Sequence, residues 1–382
     1  MTRGQIEDVD ALVIGGGIAG ASVAAELAAD LSPHARVVLL EREAQPGLHA
    51  TGRSAALFTT TYGPPVIRAL SRASRGVFAA AHPGLDHPLT RPRGVLFVAT
   101  AAQAAAAAAV AAEMPDALRP LDAAAARAAV PLLRPGVIAS ALHEAGAADI
   151  EVESLHRLCL RRLSAAGGRV ETRAEVTAIA RDGAAWRVEA AGRTLRAPLL
   201  VNAAGAWADE VARRAGVRPV GLVPKRRTAL LVALPDGVDA AAWPLVVDVE
   251  ERFYFKPDAG RLLLSPADAT PSPPCDARPE EIDIAICIDR VQAVLDLPVR
   301  RVLHSWAGLR SFVADGSPVA GFAPDAPGFF WLAGQGGYGI QSAPALARTA
   351  AALALGRPVP PDIAAEGVTA AALAPDRPSL GA

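Results

Sequence analysis

Residues 9–41, VDALVIGGGIAGASVAAELAADLSPHARVVLLE, constrain this chain more than any other stretch, because they read from end to end as one βαβ unit. Val9 to Ile14 form a short apolar strand that runs directly into Gly15, Gly17 and Gly20 at G-x-G-x-x-G spacing. Glycines there permit a tight turn, close approach of the backbone to a pyrophosphate, and close packing of the following helix. That helix, from about Ile18 to Ala29, presents its free N-terminal amides to the phosphate. A second strand, Arg36 to Leu40, ends at Glu41, 21 residues after the last glycine, where a carboxylate accepts hydrogen bonds from a ribose. No basic pocket for a 2′-phosphate stands beside it, so the pattern favours FAD or NAD over NADP.

The same stretch contains the most apolar uncharged run, Ala11 to Ala25, which resembles a signal peptide or a membrane span at first sight. Acidic residues precede it (Glu7, Asp8 and Asp10) and glycines interrupt it, and it falls short of the ~18 to 20 apolar residues a spanning helix needs. No integral membrane segment is expected. Lys plus Arg number 38 and Asp plus Glu 39, so no overall field recruits nucleic acid. Cys159, Cys275 and Cys287 show neither metal spacing nor a disulfide framework, which leaves no metal site and suits a reducing cytoplasm, the expected location.

Past Glu41 comes a long turn-rich segment, REAQPGLHATGRSAALFTTTYGPP, with a run of small hydroxyl residues. Long loops inside compact domains are usually functional. Helical periodicity covers 66–80, a strand 94–100, and an alanine-rich helix 101–114, with Asp122 placed to cap another short helix. An amphipathic helix follows at 153–168, then two alternating stretches, 169–181 and 185–197, that read as paired strands. LLVNAAGAWADEVARRAG, 199–216, repeats the strand, small-residue turn and helix pattern. Residues 217–305 carry strand signals separated by Pro, Gly and Asp turns, with a helix near 280–295. The chain closes on a buried strand, a glycine-rich turn and a long helix at 329–356. The expected fold class is α/β with an α+β lobe: a discontinuous Rossmann-like nucleotide domain (1–80, 145–216 and 305–382) and an inserted antiparallel-sheet substrate domain (81–144 and 217–304).

VIGGGIAGASVAAELA, LEREAQPG, TGRSAA, LVNAAGAWAD, WAGLRSFVADG and AGQGGYGIQ together resemble the FAD-dependent amino-acid oxidase and dehydrogenase family, which includes D-amino-acid, glycine and sarcosine oxidases. Within it, TGRSAA, PKRR, FYFKPDAG, WAGLRSFVADG and QGGYGIQ look most like the bacterial D-arginine dehydrogenases. The resemblance implies that Gly15, Gly17, Gly20 and Glu41 hold the ADP half of FAD, and that Ser54, Gly336, Gly337, Gly339 and Gln341 lie along the flavin and its phosphates. It implies that Arg227 and Arg310 hold a substrate carboxylate with help from Tyr62 and Tyr254, and that the Gly337 carbonyl accepts from the substrate amine. A guanidinium forks onto a carboxylate with two parallel hydrogen bonds and fixes the neighbouring carbon as lysine does not. The bland alternatives are that Arg227 pairs with a surface acid and that the two tyrosines are rim aromatics; the functional reading is preferred, with Arg226 as the solvated neighbour of a substrate-binding Arg227.

Two positions depart from the arginine-active pattern. Leu57 stands where that pattern has histidine, and Asp86 where it has the glutamate that meets a substrate guanidinium. Leu57 makes the pocket more apolar and Asp86 is one methylene shorter, which shifts the expected preference from D-arginine towards aliphatic or aromatic D-amino acids. The implied reaction is oxidative deamination of a D-amino acid by non-covalent FAD, with no cysteine or histidine in a matched flavin motif. No general base appears among the matched residues. The electron acceptor is expected to be a quinone or other carrier rather than O2. The rival readings are a glycine- or sarcosine-type secondary amine oxidase, a non-catalytic flavin-binding subunit, and a plain NAD dehydrogenase.

Overall fold

The computed structural model describes residues 6–31, 33 and 36–381. Residues 1–5, 32, 34 and 35 of the expected segment 1–80, and residue 382 of the expected segment 305–382, lie outside these.

Two sheets organise the chain. The first has six strands in the order Arg169–Glu171, Val37–Leu40, Ala11–Ile14, Leu199–Asn202, Phe329–Ala333 and Val319–Phe322; all neighbours are parallel except the last pair. Ala11–Ile14 and Val37–Leu40 are buried at every position, as expected of parallel strands covered on both faces, which explains their unbroken apolar runs. Helices Ile18–Leu31, Pro65–Ala79, Val152–Ala165 and Gly339–Ala354 cover one face, where Val23, Leu27, Leu70, Leu163 and Leu346 pack together. The other face packs on Trp186, Val188 and Leu195 of an antiparallel meander, Val176–Asp182, Ala185–Ala190 and Arg193–Ala197. Arg169–Glu171 does not join that meander as its alternation suggested; it adds to the parallel sheet beside Val37–Leu40.

The second sheet has eight strands: Val302–Phe312, Val223–Val232, Arg261–Ser265, Tyr254–Asp258, Leu245–Asp248, Val95–Ala99, Ser140–Glu144 and Arg119–Asp122. It differs from expectation in two respects. Leu245–Asp248 pairs with Val95–Ala99 in parallel, so the sheet is mixed rather than antiparallel. The boundary expected at residue 305 falls inside Val302–Phe312, which stays with the second sheet through a register running from Val232↔Val302 to Val223↔Phe312. The chain returns to the first sheet only at Val319. Alternation sorts the second sheet's side chains: Leu96, Val246, Phe255 and Leu264 face one core with Cys287 and Val291, whereas Val95, Phe97, Leu245, Val247 and Tyr254 face the opposite way. No helix among the described residues is long and apolar enough to cross a membrane.

Candidate active site

The C-terminal ends of the central parallel strands open onto one cleft, the position at which open α/β sheets bind ligands. Ile14, Gly15, Leu40, Glu41 and Ala203 line it where the strands end, and Gln335, Gly336, Gly337 and Gly339 line it beyond Phe329–Ala333. Gly15 has φ of 107°, and a Cβ there would stand 2.4 Å from the Ala203 carbonyl oxygen, so only glycine lets the first turn pass the Leu199–Asn202 strand. Gly20 serves packing: a Cβ on it would meet the Gly15 carbonyl at 1.8 Å.

Backbone amides and buried side chains fix the turn. Gly16 N–H donates to Glu41 Oε2 and Glu43 N–H to Glu41 Oε1, both at 2.8 Å, which aims a buried carboxylate into the cleft. Ile18 N–H donates to Thr51 Oγ1 at 2.9 Å, and His156 Nε2 donates to the Gly16 carbonyl at 2.9 Å. At the same end the Arg42 guanidinium lies over the Trp207 ring, 4.1 Å from its centroid. The helices beginning at Ile18 and Gly339 both start on the cleft, giving two positively polarised termini.

A smaller chamber adjoins the cleft and shares Ser54, Ala55, Arg227, Tyr254, Arg310, Gly337 and Ile340 with it. Alternation along Val223–Val232 separates two neighbouring arginines. Arg226 faces away and is bound by Asp283 at 2.8 Å and by Glu280. Arg227 faces the chamber with no ion-pair partner among the described residues, and its Nε, though buried, lacks a hydrogen-bond acceptor. Arg310 enters from Val302–Phe312, the strand paired with Arg227's own. Burial, and then the charge of Arg310, lower the pKa of Arg227. Burial also works against Arg310, but electrostatic interaction with Tyr62 and Tyr254 outweighs that and raises its pKa. Burial pushes the Tyr62 phenol up as well, so it stays protonated. Two cations enclosed by protein and facing a cavity without a carboxylate between them form a receptor for an anion.

The predicted site residues fall into two adjoining groups, with Ser54, Arg227, Tyr254, Arg310 and Gly337 on the wall common to both. Gly15, Gly17, Glu41, Ser54, Gly336, Gly337 and Gly339 line the cleft; Tyr62, Tyr254, Arg227, Arg310, Gly337 and Leu57 line the chamber. Gln341 sits on the chamber wall rather than in the cleft, its Nε2 donating to Ser71 Oγ at 3.0 Å. Asp86 does not meet the substrate chamber as its position in the pattern implied: its side chain is 97% exposed, accepts from its neighbour His87 at 2.7 Å and lies outside the chamber wall. Asp86 lies at the surface because the turn before His87 and Pro88 runs outside the sheet whose face forms the chamber.

Several residues escaped the sequence reading. Glu144, 4% exposed, accepts from the hydroxyls of Thr59 and Thr61 at 2.6 Å each and from the Thr60 amide at 2.9 Å, which explains the threonine run before Tyr62. Glu251 is the carboxylate in the chamber wall and accepts from Tyr62 Oη at 3.1 Å. His49 and Cys275 both line the cleft, so the reason given for a non-covalent flavin does not hold in space. The hydroxyl run was a visible signal; the others depend on contacts between distant segments.

The cleft fits a flavin dinucleotide on its own geometry. Besides the glycine cradle and the buried Glu41, three buried side-chain nitrogens on its wall, His49 Nδ1, Arg227 Nε and Gln335 Nε2, have no hydrogen-bond partner among the described residues. Such groups are rare without a ligand or water to meet them.

Comparison with known proteins agrees. The family model described as FAD dependent oxidoreductase (DAO) matches residues 10–353. Glycine oxidase of Geobacillus kaustophilus is 26% identical over 215 residues, 56% of this chain and 55% of that protein, so the chain aligns with about half of that relative's length. The crystal structure of glycine oxidase from Geobacillus kaustophilus superposes with a TM-score of 0.79 at 23% identity, covering 92% of this chain and 95% of that one. L-α-glycerophosphate oxidase from Mycoplasma pneumoniae with FAD bound gives 0.83 at 19% identity over 92% and 95%. At these identities the structural matches establish the fold.

Proposed function

We propose that this chain, which belongs to the family of FAD-dependent oxidoreductases and uses FAD, oxidises D-amino acids to imino acids that water converts to 2-oxo acids and ammonia. The observation that carries the reading is the pair Arg227 and Arg310, enclosed, flanked by Tyr62 and Tyr254, and without a carboxylate of the protein between them, where cleft and chamber meet. A substrate carboxylate satisfies both guanidiniums and fixes Cα at the mouth of the cleft. FAD, when bound, supplies the acceptor for the hydride that leaves Cα. The residues bind, orient and exclude water. The chamber wall offers no histidine or lysine as a base, and its one carboxylate, Glu251, already accepts from the Tyr62 hydroxyl, so in this reading the amine proton leaves to solvent before oxidation.

The D configuration and the kinship with D-arginine dehydrogenases rest on TGRSAA, PKRR, FYFKPDAG, WAGLRSFVADG and QGGYGIQ. Side-chain preference follows from the sheet face. Val247 is the cross-strand partner of both Tyr254 and Phe97, and Leu245 that of Val95, so these residues share a face across three strands. At about 4.8 Å per strand the apolar wall runs ~10 Å from Tyr254. With Leu57 and Ala267 it suits a leucine or phenylalanine side chain. Glycine and sarcosine, the substrates of the second reading, leave that wall bare; the glycine oxidase relative is what favours them. Reduced flavin passes its electrons to a carrier other than O2 in this reading.

Anaerobic mixing with a panel of D- and L-amino acids, glycine and sarcosine tests the proposal. Bleaching of the flavin by D-leucine or D-phenylalanine at least as fast as by D-arginine is expected. A strong preference for D-arginine refutes the apolar shift, and bleaching only by glycine or sarcosine refutes the substrate class. Slow return of colour in air is expected of a dehydrogenase.

A further inference from the structure

We propose that Glu251 sets the charge selectivity of the chamber, taking the cationic end of a long basic substrate and turning away acidic side chains; this rests on the amino-acid reading above. Among the chamber's lining residues Glu251 is the one carboxylate, in a wall that it shares with apolar Leu57, Val95, Phe97, Leu245 and Val247, with polar Thr59 and Gln341, and with the two arginines.

The position is built rather than incidental. Glu251 lies in the turn between Leu245–Asp248 and Tyr254–Asp258 with φ of 57°, a conformation most residues avoid. Asp248 holds that turn: its carbonyl accepts from Glu251 N–H at 2.8 Å, its N–H donates to the Phe253 carbonyl at 3.0 Å, and its buried carboxylate takes Gln103 and Arg252. Arg252, the nearest cation in sequence, is thereby occupied by Asp248 at 3.2 Å and Glu250 at 3.6 Å. Glu251 is left with no ion pair among the described residues; its recorded side-chain partner is the Tyr62 hydroxyl.

That partner makes the selectivity cooperative. A phenol has one proton to donate. In this structure Tyr62 gives it to Glu251, whereas assisting the substrate carboxylate requires giving it to the substrate. An ammonium or guanidinium on the substrate side chain takes over Glu251 and frees the Tyr62 proton for the α-carboxylate, so the two contacts reinforce one another. The stem of such a side chain lies on the apolar wall while its head reaches the chamber mouth. A second substrate carboxylate meets Glu251 with like charge and no such exchange. Asp86, exposed and held by His87, has no part in this.

D-arginine and its neutral isostere D-citrulline separate charge from shape. With flavin-loaded enzyme and D-leucine as reference, kcat/KM for D-arginine over D-citrulline is expected to fall in Glu251→Gln on the order of threefold to tenfold, the range for an exposed to partly buried ion pair. The ratio of D-glutamate to D-glutamine is expected to rise. Glu251→Gly, which relieves the positive φ, gives the same two changes if charge is the cause, and flavin content reports that both variants fold. Ratios within twofold of wild type in both variants overturn the inference while leaving the amino-acid reading intact. A wild-type enzyme bleached by no D-amino acid refutes that reading, and this inference with it.

Discussion

Replacing Arg227 by methionine is expected to raise stability and abolish efficient catalysis, opposite signs from one substitution. The protein encloses the Arg227 guanidinium, leaves its buried Nε without an acceptor and places Arg310 close enough to lower its pKa further. An unsatisfied buried donor costs about 1–3 kcal/mol, more when charged, and exchanging buried charge for an apolar side chain of similar volume is commonly neutral or stabilising. Without substrate, Arg227→Met is therefore worth about 1–3 kcal/mol of added stability, read as a rise of a few degrees in Tm at ~2 °C per kcal/mol for a chain of this size. With substrate the sign reverses. Losing a charge-assisted fork onto the carboxylate forfeits about 3 kcal/mol or more, a fall in kcat/KM on the order of a hundredfold. A third reading links the two: a saturating carboxylate ligand raises the Tm of the wild type by mass action and that of the variant by much less. Differential scanning calorimetry of flavin-loaded protein with and without ligand, alongside steady-state kinetics, measures all three. A variant that is less stable than wild type and keeps its kcat/KM would show that Arg227 is a structural cation whose partner lies elsewhere.

Four other outcomes follow from the same geometry. A Cβ on Gly337 would stand 2.8 Å from Arg310 Nη1, the movable end of a long side chain, so Gly337→Ala should fold normally but displace that guanidinium and lower kcat/KM tenfold or more, on the order of 1.4 kcal/mol. Glu144→Gln offers two oxygen acceptor sites fewer to Thr59, Thr60 and Thr61 and should loosen the segment carrying Tyr62, seen as a raised KM with kcat less affected. Because burial raises the pKa of Tyr62, the phenol stays protonated further into alkali than an ordinary tyrosine; kcat/KM should rise with pH as the substrate amine deprotonates and show no fall from Tyr62 below about pH 10. A fall near neutrality would place a different group in control. Acid precipitation should leave the flavin in the supernatant, and a yellow pellet would show attachment through His49 or Cys275, both on the cleft wall.

The nucleotide half was legible because its constraints are local. The G-x-G-x-x-G turn, the apolar strands on either side and Glu41 lie within one βαβ unit, and the structure keeps the helix start at Ile18 and the strand end at Leu40. Misreadings arose where alternation is ambiguous about partners. Arg169–Glu171 alternates like the meander strands that follow it, yet its half-buried side chains sit on the edge of the parallel sheet. Val302–Phe312 reads as a return to the nucleotide domain because the tail beyond it belongs there; its long register with Val223–Val232 is a pairing between segments some eighty positions apart, which no local pattern encodes.

The chamber shows the same limit at the level of single side chains. Arg227 and Arg310 were readable as types, since a guanidinium in an apolar strand asks for an anion, but which of Arg226 and Arg227 faces inward depends on strand phase. The structure sets that phase through Thr228, whose amide donates to Asp268 at 2.7 Å and whose carbonyl accepts from Ser265. A slip of one residue would send Arg227 out to Asp283 and turn Arg226 into the chamber. Asp86 and Glu251 make the converse case. One stands where the family pattern has a substrate-binding glutamate and lies in solvent; the other was not marked by the pattern and reaches the chamber because Asp248 folds a tight turn at the end of its strand. The charge on the chamber wall is therefore set here by a turn between two sheet strands, and on the proposed reading a substitution that loosens the Asp248 turn should alter substrate selectivity without touching any residue the family pattern marks.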